Sequence, residues 1–146
     1  MYKLEKGYYD RVKPLFNPLD YQLISAAVLE SNHPGKVYVD DPINPQTAFL
    51  FAPKMWCYLV GDPNNETFNK NLNEGLFEQI ELERNSDVLL FACNPEERWR
   101  ESLIRIFNPR IPVPMPRYHY ICRDLKYDWQ ENVPEDFTIH KIEYDP

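Results

Sequence analysis

Three short apolar stretches, 36–40, 47–52 and 55–60, follow one another with very short connections between them. Parallel neighbours need a crossover of a dozen or more residues, so strands joined this tightly pair antiparallel. Pro53-Lys54 has the length of a hairpin turn, and 41–45, with Pro42 and Pro45, reads as a loop. Val37 and Val39 share one face of the first stretch, Phe49, Leu50 and Phe51 fill the second, and Trp56, Tyr58 and Leu59 fall in the third. A three-stranded meander is the frame on which the other segments must be hung.

Helices and further strands are expected on either side of it. Residues 1–18 are mixed, with Tyr8, Tyr9, Leu15 and Phe16 as anchors and Pro14 and Pro18 as breakers. A helix over 19–31 carries the stripe Leu19, Leu23, Ala26 and Ala27, and Asn32-His33-Pro34-Gly35 stops it. The longest helix, 64–84, repeats Phe68, Leu72, Leu76 and Ile80 every fourth position with Phe77 beside them. Residues 87–93 are nearly all apolar and read as a central strand buried on both faces. Asn94-Pro95-Glu96-Glu97 then opens a helix, with asparagine as cap and proline at the first helical position, and a buried stripe of Trp99, Leu103, Ile106 and Phe107. The four prolines of 108–116 make a stiff extended crossing. Strands are expected at 117–124, with Tyr118 and Tyr120 in the core, and at 137–142. The fold class is α+β, a mixed and mostly antiparallel sheet with helices on its faces. Residues 1–134 form the domain, and 135–146 supply a final strand.

Hydrophobic residues make up 43% of the 146 and aromatics 14%, ample for one packed core. The 16 basic and 23 acidic residues leave a net charge of −7, spread along the chain, which argues against nucleic acid as a partner. Cys57, Cys93 and Cys122 are odd in number and form no C-x-x-C pair, so buried free thiols in a reducing compartment are expected and no metal site is. No apolar core opens the chain, and no run approaches the roughly 18 to 20 residues of a membrane span. The expectation is a soluble, cytoplasmic protein.

The turn 61–65 sits where the third strand runs into the longest helix, a place where free N–H groups can hold an anion. Gly61, Asn64 and Asn65 are the weak candidates for such a role. Asp62 fits the helix cap ahead of Pro63, and Glu66 adds charge in the first turn, so capping is the preferred reading and both acids repel an anion. Asp40 and Asp41 are candidates for contact with a substrate or partner, as receptors of an amine or as a general base, set against a solvated Asp-Pro turn. Neither has the neighbours a metal needs. His33, His119 and His140 stand alone, with His119 read as partly buried and structural. Cys93 ends a strand just before a helix start, where a thiol pKa can fall, but no histidine adjoins it in sequence. Trp129, an aromatic in a polar segment, is a candidate contact to a partner domain.

The order helix, three meandering strands, helix, strand, helix, strand resembles the core of the GNAT acetyltransferases. Gly35-Lys36-Val37-Tyr38-Val39-Asp40-Asp41, Asn44-Pro45-Gln46-Thr47-Ala48 and Gly61-Asp62-Pro63-Asn64 resemble one branch, the two-part, zwittermicin-resistance-type proteins. Val133-Pro134-Glu135-Asp136-Phe137-Thr138-Ile139 is similar to the lead-in to their second half. The resemblance implies a fold whose fourth and fifth strands splay to admit acetyl-CoA, with a Q/R-x-x-G-x-G/A turn holding the pyrophosphate. It also implies a degenerate first half packed against a coenzyme-binding second half. This chain lacks that turn pattern. By resemblance the expected function is the non-catalytic half of an acetyl-CoA-dependent N-acetyltransferase, itself without cofactor, with a catalytic half or a second copy as partner. The alternative is a stand-alone interaction or small-ligand module.

Overall fold

The computed structural model describes residues 1–53, 56–76, 89–120 and 133–138. Its centre is a strand with no exposed residue. β3 (Thr47–Phe51) is buried at all five positions, because alternate side chains serve different cores. It pairs antiparallel with β2 (Lys36–Val39) on one side and β4 (Cys57–Gly61) on the other, Phe49 lying between Tyr38 and Leu59. β1 (Tyr2–Leu4) extends the sheet antiparallel beyond β2, and β5 (Phe91–Cys93) adds to β4 in parallel. These strands stand in sequence order, so among the described residues the only crossover is the β4-to-β5 connection.

Each face of this sheet carries its own core. Ala48, Leu50, Tyr58 and Val60, with Val37 and Val39, point to a layer made of two 3-10 helices (Lys6–Arg11 and Lys13–Leu19) and α1 (Leu23–Leu29). That layer supplies Tyr9, Val12, Phe16, Leu19, Val28 and Leu29. Phe49, Phe51, Cys57 and Leu59 point the other way, onto Phe68 and Leu72 and onto Trp99 and Ile106. The first pair comes from α2 (Glu66–Asn71) and the π-helical turn Leu72–Leu76, the second from α3 (Glu96–Phe107). Phe91 meets Phe107 edge-on at 4.8 Å between ring centroids, a favoured aromatic geometry. No described helix is long and apolar enough to cross a membrane.

The meander, Phe68 and Leu72 of the longest helix's stripe and the stripe of α3 match their sequence reading, with Leu103 and Phe107 half-buried beside Trp99. The first helix does not. The segment leading into it is 3-10 helix, α1 starts only at Leu23, and Leu23 is 79% exposed while Ser25, Val28 and Leu29 are buried. Pro14 and Pro18 remove backbone donors that an α-helix would need, and the tighter winding through Leu19 shifts the phase of everything after it. The short strand β1 has no counterpart in the sequence reading. β5 is three half-buried residues at the end of the described sheet, shorter and less enclosed than a central strand. Asn94 is not the cap of α3. The helix begins after Pro95 with no side-chain cap, and the Asn94 amide reaches back to donate to the Pro18 carbonyl. Residues 77–88, where the sequence places the second half of the longest helix, lie outside the described residues.

The chain divides into two compact units, Met1–Met115 and Pro116–Pro146. In the second, the described residues 117–120 form no strand, and Tyr118 and Tyr120 are 83% and 89% exposed rather than core. His119 is likewise exposed. Phe137 and Thr138 are also without strand structure, and the Phe137 N–H closes a turn onto the Pro134 carbonyl. Prolines at 112, 114 and 116 withhold every second donor from the approach to this region, which weakens any ladder there.

The two-core arrangement sets a contrast in stability. Trp99→Ala should lower the unfolding free energy by about 3–5 kcal/mol in urea titration. Leu23→Ala, the residue a continuous 19–31 helix would have buried, should change it by less than about 0.5 kcal/mol. Equal losses for the two would refute the described phase of α1.

Candidate functional site

β4 ends in a residue that only glycine can occupy. Gly61 has φ +93°, and a Cβ there would collide with the backbone carbonyl of Gln46. The tight approach comes from pairing, since Gly61 lies opposite Thr47 and the next residue, Asp62, donates its N–H to the Gln46 carbonyl at 2.9 Å. The end of β4 is thus laced to the start of β3 at the point where the chain turns toward α2.

The side chains of the turn are bonded to the protein itself. Asp62 accepts the Asn64 N–H at its Oδ1 (2.9 Å), an Asx turn. The helix cap is Asn65, not Asp62: its Oδ1 accepts the Phe68 N–H at 3.1 Å, three residues into the helix. Pro63 pointed to a start too early, because it lies in a turn that precedes the helix. The Asn65 amide donates to Asp40 Oδ2 (2.9 Å) and to Thr47 Oγ1 (3.2 Å). Thr47 Oγ1 in turn donates to the Asp62 carbonyl at 3.2 Å. Asp40 Oδ1 receives the N–H groups of Gln46 and Thr47 at 3.0 and 3.1 Å. Behind the turn, the Asn69 amide donates to the Pro63 carbonyl at 2.8 Å.

The structure therefore separates the paired aspartates that adjoin in sequence. Asp40 is half-buried and joins three segments: the end of β2, the start of β3 and the cap of α2. Asp41 is exposed and faces its own loop, where its Oδ1 takes the N–H groups of Ile43 (2.7 Å) and Asn44 (3.0 Å). The bonds from Asn44 and then Ile43 hold its carboxyl below the usual range. Asp40, Gly61 and Asn65 thus come together at one end of the sheet, with exposed Asn64 beside them. Thr47 belongs to this group too and was not singled out from sequence. Its fully buried hydroxyl works across an 18-residue separation that no local pattern reveals. Trp129 lies outside the described residues.

Two titratable groups on β4 and β5 are held protonated. Burial pushes the Cys93 thiol up to about 11, with Glu96 and Glu97 adding to it. A strand end before a helix start is a place where a thiol pKa can fall, but here burial, with the acids in the first turn of α3 adding to it, moves it the other way, in keeping with a buried free thiol. Burial, with a smaller contribution from Cys57, pushes the Tyr58 phenol up to about 12 in the first core. No group of three or more metal-ligating side chains occurs among the described residues.

Gly61→Ala should destabilise by about 1–3 kcal/mol or more, from strained backbone alone, before the collision with Gln46 is added. A thermal melt within a degree of wild type would contradict the described turn. For Cys93, the unfolded thiol ionises first as pH rises, near 9.0, while the folded one stays protonated to about 11. Its contribution to stability is therefore constant below pH 9.0 and lost progressively from there to about 11. Urea midpoints of Cys93→Ala should fall less steeply than wild type over that interval, and parallel slopes would discount the burial of the thiol.

The architecture agrees with the comparison to known families. A sequence profile described as GNAT acetyltransferase matches residues 13–145. A search of curated proteins returns no match. The profile spans nearly the whole chain, from the second 3-10 helix onward and including β2 to β5, and the chain belongs to the GNAT acetyltransferase family.

Proposed function

We propose that this chain is the non-catalytic, GNAT-like half of an acetyl-CoA-dependent N-acetyltransferase of the two-part type, and that it packs against a separate catalytic half. Family membership implies acetyl-CoA as the acyl donor. What carries the non-catalytic reading is the turn that follows β4: the chain lacks the Q/R-x-x-G-x-G/A pattern that holds the pyrophosphate in the family resemblance.

The residues at the end of β4 likewise do not fit the diphosphate of a coenzyme. Such a group needs several unbonded amides converging on one point. The amides of Asp62, Asn64 and Phe68 are bonded internally, and Asp40, Asp62 and Glu66 bring carboxylates to the same end of the sheet. In this reading the domain contributes surface and rigidity to a larger acetyltransferase, and the proton transfers take place on its partner.

Incubation with radiolabelled acetyl-CoA and a panel of primary amines should give no acetylated product above the protein-free rate. Sustained turnover by the purified chain would end the non-catalytic reading. Sedimentation with a GNAT domain of the same family that carries an intact phosphate turn should show a one-to-one complex, and two independent boundaries would remove the packing role.

A further inference from the structure

We propose that the cleft between α2 and α3 is a binding site for a small zwitterion, a molecule carrying a carboxylate and an ammonium group a few atoms apart, as an α-amino acid does. This goes beyond the non-catalytic reading above and does not depend on it, because the site needs no coenzyme. The cleft encloses about 320 Å³. That lies at the lower end of the range for small-molecule pockets, roughly 300–1,000 Å³, and suits a ligand of amino-acid size. Its described lining is Glu66, Asn69 and Lys70 from α2, Asn73 from the turn that follows, and Arg105 and Ile106 from α3. Residues 66, 69 and 70 stand at i, i+3 and i+4, so one helix face presents all three.

Both signs of charge meet in this lining. Lys70 and Arg105 are its cations, and Glu66 is its carboxylate. Arg105 is anchored: its Nη2 donates at 3.1 Å to the hydroxyl of Ser102, which is buried one turn earlier. That bond uses one of five guanidinium N–H groups and leaves others for a planar carboxylate. Lys70 makes only a 3.8 Å contact with Glu74, and both side chains are exposed, so a ligand can replace that partner. Glu66 forms no ion pair with a described residue. Asn69 is an independent pointer. It is 8% exposed, its NH₂ is committed to the Pro63 carbonyl at 2.8 Å, and its Oδ1 has no hydrogen-bond partner. A buried acceptor in that state is uncommon and calls for a donor. An ammonium shared between Asn69 Oδ1 and Glu66 supplies one, while Arg105 and Lys70 take the carboxylate. A plain anion would leave Asn69 Oδ1 unpaired and meet Glu66, and a plain amine would face two cations. Opposite charges in one small molecule answer the whole lining.

Titration calorimetry of the purified chain with glycine, L-serine, L-glutamate and L-lysine, and separately with acetate and methylammonium, tests this. At least one of the amino acids should bind at millimolar concentration or below, about tenfold or more tighter than acetate or methylammonium. Uptake of none of the four, or acetate binding as tightly as the best of them, would overturn the site. Arg105→Gln and Glu66→Gln should each weaken the best amino acid about tenfold. Arg100→Gln, on α3 but outside the cleft, should bind it as wild type does. Equal loss in R100Q would show a general effect of charge and overturn the site, as would full affinity in both R105Q and E66Q. Acetyl-CoA is left out throughout, so failure here leaves the non-catalytic reading standing.

Discussion

One carboxylate determines how the ends of this sheet meet. Asp40 stands at the exit of β2, takes two amides from the entry of β3 and is bonded through its second oxygen to the cap of α2. A charged acceptor with three donors is among the stronger arrangements available to a half-buried side chain. It sets the register of the β2–β3 loop and, through Asn65, the point at which α2 can begin. The lacing of Asp62 to Gln46 and the exclusion of a side chain at residue 61 follow from the same convergence of segments. What occupies the end of β4 is therefore internal structure. The scaffold is the family's, and its β4–α2 turn is bonded inward.

Much of the scaffold was legible in the chain because it depends on short-range rules. Short connections force antiparallel pairing, and the spacing of Phe68, Leu72, Trp99 and Ile106 places each helix against the sheet. The misses have physical causes. Helical spacing counted from Leu19 ignores the 3-10 winding that runs up to that residue, and so puts Leu23 inside when it is outside. β1 is three residues whose identity as a strand depends on finding β2 some thirty-five residues later, a partner invisible locally. The alternation at 117–120 has the pattern of a strand but lacks strand structure in the fold, since a pattern records only what a sheet would accept and not whether one is offered.

At the β4–α2 turn the sequence singles out residues that the fold brings together, but it divides the roles among them differently. Asp40, Gly61 and Asn65 meet, while the capping role belongs to Asn65 and not to Asp62, three residues earlier. Both residues are good caps, and the choice between them is made by tertiary contacts with Thr47 and Asp40. At Cys93, read as a buried free thiol, the helix start and burial pull the thiol pKa in opposite directions, and it is burial, with the neighbouring Glu96 and Glu97, that wins in the fold. In each case the residue was identifiable, and the balance of forces on it was not, because that balance is set by the folded surroundings.

The doubly enclosed β3 has a consequence for how the first unit comes apart. Ala48 and Leu50 belong to one core and Phe49 and Phe51 to the other, so no cut through the sheet leaves either core whole. Loss of the 3-10 and α1 layer would wet Ala48 and Leu50 and free the strand that also holds Phe49 and Phe51. The two layers are thereby bound into one all-or-none transition, with no half-melted form that keeps one face dry.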